Sequence, residues 1–338
     1  MPFWGIRPVF LSLPALYPSG RHPLFRVAMH RPGSGSALAV ARRPAVAAGP
    51  ADCPGPHRAA CHSPAGWRLT ALIHRGAYLE LFRAAPANVV GPGCHVLKRP
   101  IPRHTSAAFA RAQIAREAQV AAAAAHPHLV SVLGSVGEPA GNLLPLLDGV
   151  SLRRLLEHRG AGGAAAGRPI GWALWIARQA AAALSQLHAA GWLHGQVRPQ
   201  HVLVGPDGHA TLIDLGQARR LNTMECSVDE WPVSSPEYAP PEAAVPRGTL
   251  SAASDTYALG VLLFELLAGR PPFQAADPKR LARAHRQELP DDLRAVRPGV
   301  SHEVSELVRR MLAKEPLRRP SDDELLRWLT ELEIAELA

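Results

Sequence analysis

Two regimes of hydrophobic patterning divide the chain. From Trp67 to Leu147, short apolar runs alternate with turn residues, which predicts strands. Trp67 to Ile73 and Tyr78 to Arg83 flank a tight turn at Arg75-Gly76, and Cys94 to Lys98 forms a third run. The alanine-rich stretch Ala107 to Ala125 predicts one long helix starting beside the cap candidates Thr105 and Ser106. Leu129 to Val136 and Asn142 to Leu147 are further apolar strand candidates. After Asp148-Gly149 the spacing becomes helical, over Ser151 to His158, Gly171 to Ala189, Ala252 to Ala268, Pro278 to Gln287, His302 to Leu312 and Asp322 to Glu333. Ser151, Ser251, Ser301 and Ser321 sit where N-caps belong, and Glu324 follows Ser321 at capping-box spacing. A sheet with one helix followed by a run of helices is an α+β arrangement.

Residues 1–66 show neither period. They are rich in Pro, Ala, Gly and Arg and read as a disordered tail. The tail holds seven arginines against Asp52 alone, a net of +6 out of +9 for the chain. Because these cations are scattered, they predict a solvated tail rather than a nucleic-acid arm. The apolar run Val9 to Leu16 is broken by proline, so a secretory signal is weak. No run of 18 apolar residues predicts a membrane span. Cys53, Cys61, Cys94 and Cys226 make no disulfide framework, and Cys53, His57, Cys61 and His62 match no zinc spacing. Reduced thiols and a cytoplasmic location are expected.

The chemistry concentrates in a few motifs. His194-Gly195-Gln196-Val197-Arg198-Pro199-Gln200-His201 precedes Leu212-Ile213-Asp214-Leu215-Gly216. Upstream stand His95-Val96-Leu97-Lys98 and, on the predicted helix, Arg116-Glu117-Ala118. Downstream stand Ser234-Ser235-Pro236-Glu237-Tyr238-Ala239-Pro240-Pro241-Glu242, Ser254-Asp255-Thr256-Tyr257-Ala258-Leu259-Gly260 and Lys314-Glu315-Pro316-Leu317-Arg318-Arg319-Pro320. In this order, over roughly residues 67–333, they resemble the eukaryotic-type protein kinases, and in particular the bacterial Ser/Thr kinases of that type.

The resemblance implies a bilobal protein kinase-like fold, with a small lobe over 67–146 and a large lobe over 149–338. It assigns Lys98 to the ATP phosphates, with Glu117 holding it, and Asp214 to Mg2+. The adenine would meet the Pro145 carbonyl and the Leu147 N–H, and Gly76 is what remains of the phosphate-covering glycines. His194 frames the catalytic loop, Asp255 braces it, and Arg319 pairs with Glu242.

Several positions depart from the family pattern. Gln196 stands where the catalytic Asp belongs, and an amide cannot act as a base. His201 replaces a metal-binding Asn, although magnesium prefers oxygen ligands. Gly195 replaces an Arg, while Arg198 keeps a cation able to reach a γ-phosphate. His74 and Leu79 carry side chains where the family brings backbone near phosphate, which predicts a poorer or obstructed cover. The resulting expectation is a catalytically impaired pseudokinase with weak or absent ATP and Mg2+ binding and a signalling or scaffolding role. The alternatives are an active, atypical Ser/Thr kinase and a nucleotide-free adaptor. A protein substrate or partner is expected in each case, and 1–66 is either a functional tail or a misassigned start.

Overall fold

A computed structural model describes residues 65–102, 105–137, 140–158, 167–223, 236–245 and 248–337. The expectations for residues 1–64, including Cys53, His57, Cys61 and His62, and those for Cys226, Ser234 and Ser235, lie outside the described residues.

The first half forms a five-stranded antiparallel sheet in the order β1-β2-β3-β5-β4. Its strands are β1 (Trp67–Arg75), β2 (Leu79–Pro86), β3 (His95–Pro100), β4 (Gly134–Val136) and β5 (Gly141–Pro145). Helix α1 (Ala107–Ala123) lies between β3 and β4 in the chain. Its buried positions, Ala110, Gln113, Ile114, Glu117 and Val120, recur at three- and four-residue steps, so one stripe faces inward. Two of these five are polar, and they mark where the helix meets the site. Leu79 packs beneath the helix with Ala110 and Ile114.

The second half is mostly helical, with β6 (Val150–Ser151), α2 (Leu152–Glu157), α3 (Ile170–Ala189), β7 (Trp192–Leu193), β8 (Val202–Val204), β9 (Ala210–Leu212), β10 (Arg219–Arg220), α4 (Ala252–Ala268), α5 (Pro278–Gln287), α6 (Leu293–Val296), α7 (His302–Met311) and α8 (Asp322–Ala335). Helix α4 is buried from Ser254 to Ala268, which fits its apolar run Val261–Phe264 and the leucines Leu266 and Leu267 after Glu265. Each of its fully buried leucines contributes about 1.5–3 kcal/mol. Gly260 lets α7 approach, since a Cβ there would stand 2.7 Å from the Met311 Cβ. Gly269 ends α4 at φ 74. Ser151, Ser301 and Ser321 accept N-cap hydrogen bonds as their spacing predicts.

Two sequence expectations need correction. The turn between the first two strands falls at Gly76–Tyr78, closed by Gly76 N–H donating to the Leu79 carbonyl at 2.9 Å. Only Gly134–Val136 of the predicted strand Leu129–Val136 is strand. Leu129 and Val130 are buried, but their segment pairs with Leu212 of β9 instead of joining the sheet, and apolar content alone cannot distinguish these outcomes. Helix α6 and the two-residue strands are too short to leave a periodic signal. Among the described residues, no helix is long and apolar enough to cross a membrane.

Candidate nucleotide and phosphoryl-transfer site

Lys98 lies on β3, paired across the sheet with Leu81 on one side and Asn142 on the other. Its ammonium bridges two carboxylates, Glu117 Oε1 at 2.9 Å and Asp214 Oδ1 at 2.7 Å. Burial opposes the charge on Lys98, yet the two carboxylates together hold its pKa above the usual lysine range. Burial also opposes ionisation of Asp214, but Lys98 and then His201 pull it well below the usual carboxylate range. Lys98 and Asp214 therefore stay charged near neutral pH.

Asn142 holds the other side of Glu117. Its amide donates to Glu117 Oε2 at 3.0 Å and to the Ile114 carbonyl at 2.9 Å, and the residue is fully buried. Sequence reading passed over Asn142. The available signal was a lone amide in an apolar strand, because a buried amide must find partners.

Asp214 adopts a left-handed backbone, φ 69 and ψ 63, uncommon for a residue with a side chain. This turn directs its carboxylate toward Lys98. Gly216 follows, where an added Cβ would come within 3.2 Å of the Gln113 carbonyl, so glycine lets α1 close onto the loop.

The loop 194–201 is braced from below. Asp255 accepts from the His194 N–H at 2.8 Å and from the Gly195 N–H at 2.9 Å. Gly195 has φ 76, a backbone that favours glycine over the Arg of the family pattern. His194 is fully buried, and burial lowers its pKa. The Gln196 side-chain amide donates to Gln217 Oε1 at 2.7 Å. Gln217 is a second residue the sequence did not single out.

His201 Nδ1 lies 2.9 Å from the Gln196 backbone carbonyl. Its Nε2 accepts from the Arg198 guanidinium at 3.0–3.2 Å and faces Asp214 Oδ2 at 3.3 Å. Burial pushes the His201 pKa down to about 4, so the ring is neutral at pH 7. Arg198, assigned by resemblance to a phosphate, is thus turned onto His201.

The glycine-poor turn differs from its expectation. Leu79 points beneath α1, away from a phosphate-covering position, and His74 is exposed. Tyr78, in the turn, packs edge-on against Phe109 at 5.1 Å. An added Cβ on Gly76 would have room, its nearest neighbours standing 3.5–3.6 Å away. Pro145 ends β5, and the next N–H, that of Leu146, donates to the Cys94 carbonyl at 2.9 Å. Leu147 N–H has no backbone acceptor among the described residues.

Arg319 and Glu242 form a bidentate pair, 2.8 Å at each oxygen. Ser254 Oγ also donates to Glu242, at 2.6 Å.

Comparison with known sequences agrees with this architecture. The protein kinase domain matches residues 94–329. Serine/threonine-protein kinase PknD of Mycobacterium tuberculosis (strain CDC 1551 / Oshkosh) is 32% identical over 260 residues, 75% of this chain and 37% of PknD. Serine/threonine-protein kinase PknB of Mycobacterium tuberculosis (strain ATCC 25618 / H37Rv) is 33% identical over 213 residues, 60% of this chain and 33% of PknB. Serine/threonine-protein kinase drp72 of Corynebacterium efficiens is 32% identical over 205 residues, 59% of this chain and 38% of that protein. The chain matches about a third of the length of these curated relatives, from 33% to 38%. From fold, ordered motifs and relatives together, the chain belongs to the protein kinase domain family, in its bacterial eukaryotic-type serine/threonine branch.

Proposed function

We propose that this domain binds an adenine nucleotide between its sheet and its helical half, transfers the γ-phosphoryl group weakly or not at all, and acts in signalling through a protein partner. One observation carries the reading. The Lys98–Glu117–Asp214 chain that would grip phosphates is assembled, while the position facing it holds an amide occupied with Gln217. Loss of a general base costs about 100- to 10,000-fold in rate. Positioning and electrostatics survive in part, since Lys98 and Arg198 both remain as cations.

Magnesium fits the donor set poorly. Asp214 offers oxygen, but His201 offers nitrogen where the family pattern has an amide oxygen, and Gln196 brings no negative charge.

The deciding experiment is thermal unfolding of the full chain with millimolar ATP, with and without magnesium, beside transfer of labelled γ-phosphate to a generic protein substrate. Ligand at about 100 times its dissociation constant adds about 2.7 kcal/mol, a shift of several degrees. A shift without appreciable transfer supports the reading. Robust transfer that Asp214→Ala abolishes would replace it with the active-kinase reading, which the preassembled Lys98–Glu117 pair favours. No shift under any condition would leave the nucleotide-free adaptor.

A further inference from the structure

We propose that Trp192 is a positioning residue: its indole gathers the guanidinium groups of Arg116 and Arg220 and so holds helix α1, with Glu117 on its inner face, against Lys98. The effect on ligand rests on the reading that the cleft binds nucleotide.

Trp192 lies on β7 and is 1% exposed. Arg220 is its partner in the β7–β10 register, and the Arg220 Cζ stands 4.6 Å from the ring centroid. Arg116 comes from α1, with its Cζ 5.5 Å from the same centroid. Both distances fall inside the roughly 6 Å over which a cation is attracted to the negative face of an aromatic ring. The pairing of the two short strands is extended by the Leu221 N–H, which donates to the Gly191 carbonyl at 3.0 Å. Arg116 Nη1 also donates to the Ala218 carbonyl at 3.1 Å, just ahead of β10. A single side chain of α1 is thus fixed by a ring on β7 and by the backbone leading into β10.

The indole nitrogen shows what this position requires. Nε1 is buried with no acceptor among the described residues. An unpaired buried donor costs free energy, and a leucine or isoleucine would fill an apolar slot without it. What tryptophan adds is the side-chain π face that attracts cations most strongly. Volume alone leaves two guanidinium groups over one ring without an account.

Placement gives the contact its consequence. Arg116 and Glu117 are consecutive on α1, so their side chains leave the helix about 100° apart. One reaches the β7–β10 pair and the other reaches Lys98 at 2.9 Å. Gly216 lets α1 close onto the loop after β9, but it brings no side chain to hold the helix there. Rotation or sliding of α1 that breaks the stack on Trp192 also draws Glu117 away from Lys98. The stack therefore sets how often α1 stands in the arrangement competent for phosphate, and apparent nucleotide affinity scales with that fraction.

The test compares the full chain with Trp192→Phe, Trp192→Leu, Arg220→Gln and the double variant of the last two. It reads amide hydrogen exchange of α1, with buried α4 as the reference for global opening, and affinity for ATP. Trp192→Leu should speed exchange in α1 at least about fivefold relative to α4 and weaken ATP binding about three- to tenfold. Trp192→Phe keeps a ring face and removes the orphaned N–H, so both readouts should stay within about twofold of the unaltered chain. Arg220→Gln, at an exposed position, should move both readouts the same way by a smaller factor. It should add nothing in the Trp192→Leu background, because it acts through the ring. If Trp192 only fills space, Trp192→Leu will speed α4 together with α1 and leave the ATP affinity of the folded protein unchanged. That result overturns the proposal and keeps the nucleotide reading. Additive effects of Arg220→Gln and Trp192→Leu would overturn it as well. So would unchanged α1 exchange in Arg220→Gln, which decides the matter even where Trp192→Leu fails to fold. ATP that binds none of these proteins, the unaltered chain included, would overturn the nucleotide reading, and α1 exchange would then decide the positioning role by itself.

Discussion

Asn142 Nδ2 donates to Glu117 Oε2 at 3.0 Å, so the carboxylate that holds Lys98 is gripped from both sides. Strand β5 supplies the amide directly opposite Lys98 in the sheet register. The amide and the ammonium thus fix the carboxylate from neighbouring strands, and α1 cannot turn without breaking one contact.

Removing the amide should therefore cost both stability and ligand. Asn142→Leu leaves Glu117 Oε2 buried without its donor, a penalty of about 1–3 kcal/mol. Asn142→Asp should be worse, because it adds a like charge beside Glu117 in a buried site. Urea unfolding of the three proteins, with nucleotide affinity measured on each, checks the order. A purely structural role for Asn142 would lower stability and leave the affinity of the folded protein unchanged.

Gln196→Asp should raise phosphoryl transfer by at least about 100-fold if the cleft is otherwise competent. The substitution removes the donor to Gln217 Oε1, but Gln217 can turn its amide and donate to the new carboxylate. The check is the rate of γ-phosphate transfer at saturating ATP. If Gln196→Asp and the double variant with His201→Asn both stay at background, phosphate positioning is impaired as well, and the active-kinase reading fails.

What the sequence disclosed and what it hid divide along a physical line. Lys98 meets Glu117, Asp255 meets the backbone of the loop 194–201 and Arg319 meets Glu242 as the family resemblance implied, and the structure adds the contact of Lys98 with Asp214. Strand and helix order was legible for the same reason, since periodicity is local. Asn142, Gln217 and His188 were not legible, because each acts through a partner 21 to 134 positions away. The segment Leu129–Leu133 misled because an apolar run reports burial, and here Leu129 and Val130 are buried through isolated pairing with Leu212 instead of as a strand of the five-stranded sheet. Leu79, expected over the phosphates, lies instead beneath α1 for a related reason. The direction of a side chain depends on the turn, which lies one step later than the glycine pattern suggested.

Arg319 uses every donor it has. Nη1 and Nη2 each hold one Glu242 oxygen at 2.8 Å, and the guanidinium also donates to the carbonyls of Ala313, Ala253 and Lys314. A lysine has three donors on one atom and cannot reproduce five in a plane. Arg319→Lys should therefore destabilise the helical half by about 2–5 kcal/mol despite conserving charge. Chemical denaturation against the unaltered chain measures it, and a loss under about 1 kcal/mol would show that the fork geometry is not what the site needs.

His188 sets the alkaline limit of stability. Its Nε2 faces Asp255 at 3.0 Å and its Nδ1 faces Asp322 at 2.9 Å, so the charged ring ties α3 to α4 and α8. Burial opposes that charge, but the hydrogen bonds the ring donates to both carboxylates raise the pKa to about 9. A group raised in the folded state gives stability that is complete below its unfolded value, near 6.5, and disappears as pH climbs through 9. The shift corresponds to an upper bound on the order of 3 kcal/mol. His201 and His285, both pushed down to about 4 by burial, act in the opposite window. Their contribution is present above 6.5 and is lost as pH falls toward 4. Thermal midpoints should therefore peak near pH 6.5. Between pH 6.5 and 9 the unaltered chain should lose several degrees, whereas His188→Gln should start lower and stay nearly flat. Because Asp255 also holds the His194 and Gly195 N–H groups, nucleotide affinity should weaken over the same alkaline window. A variant that keeps the full alkaline slope would show that another group titrates there and that His188 is not its source.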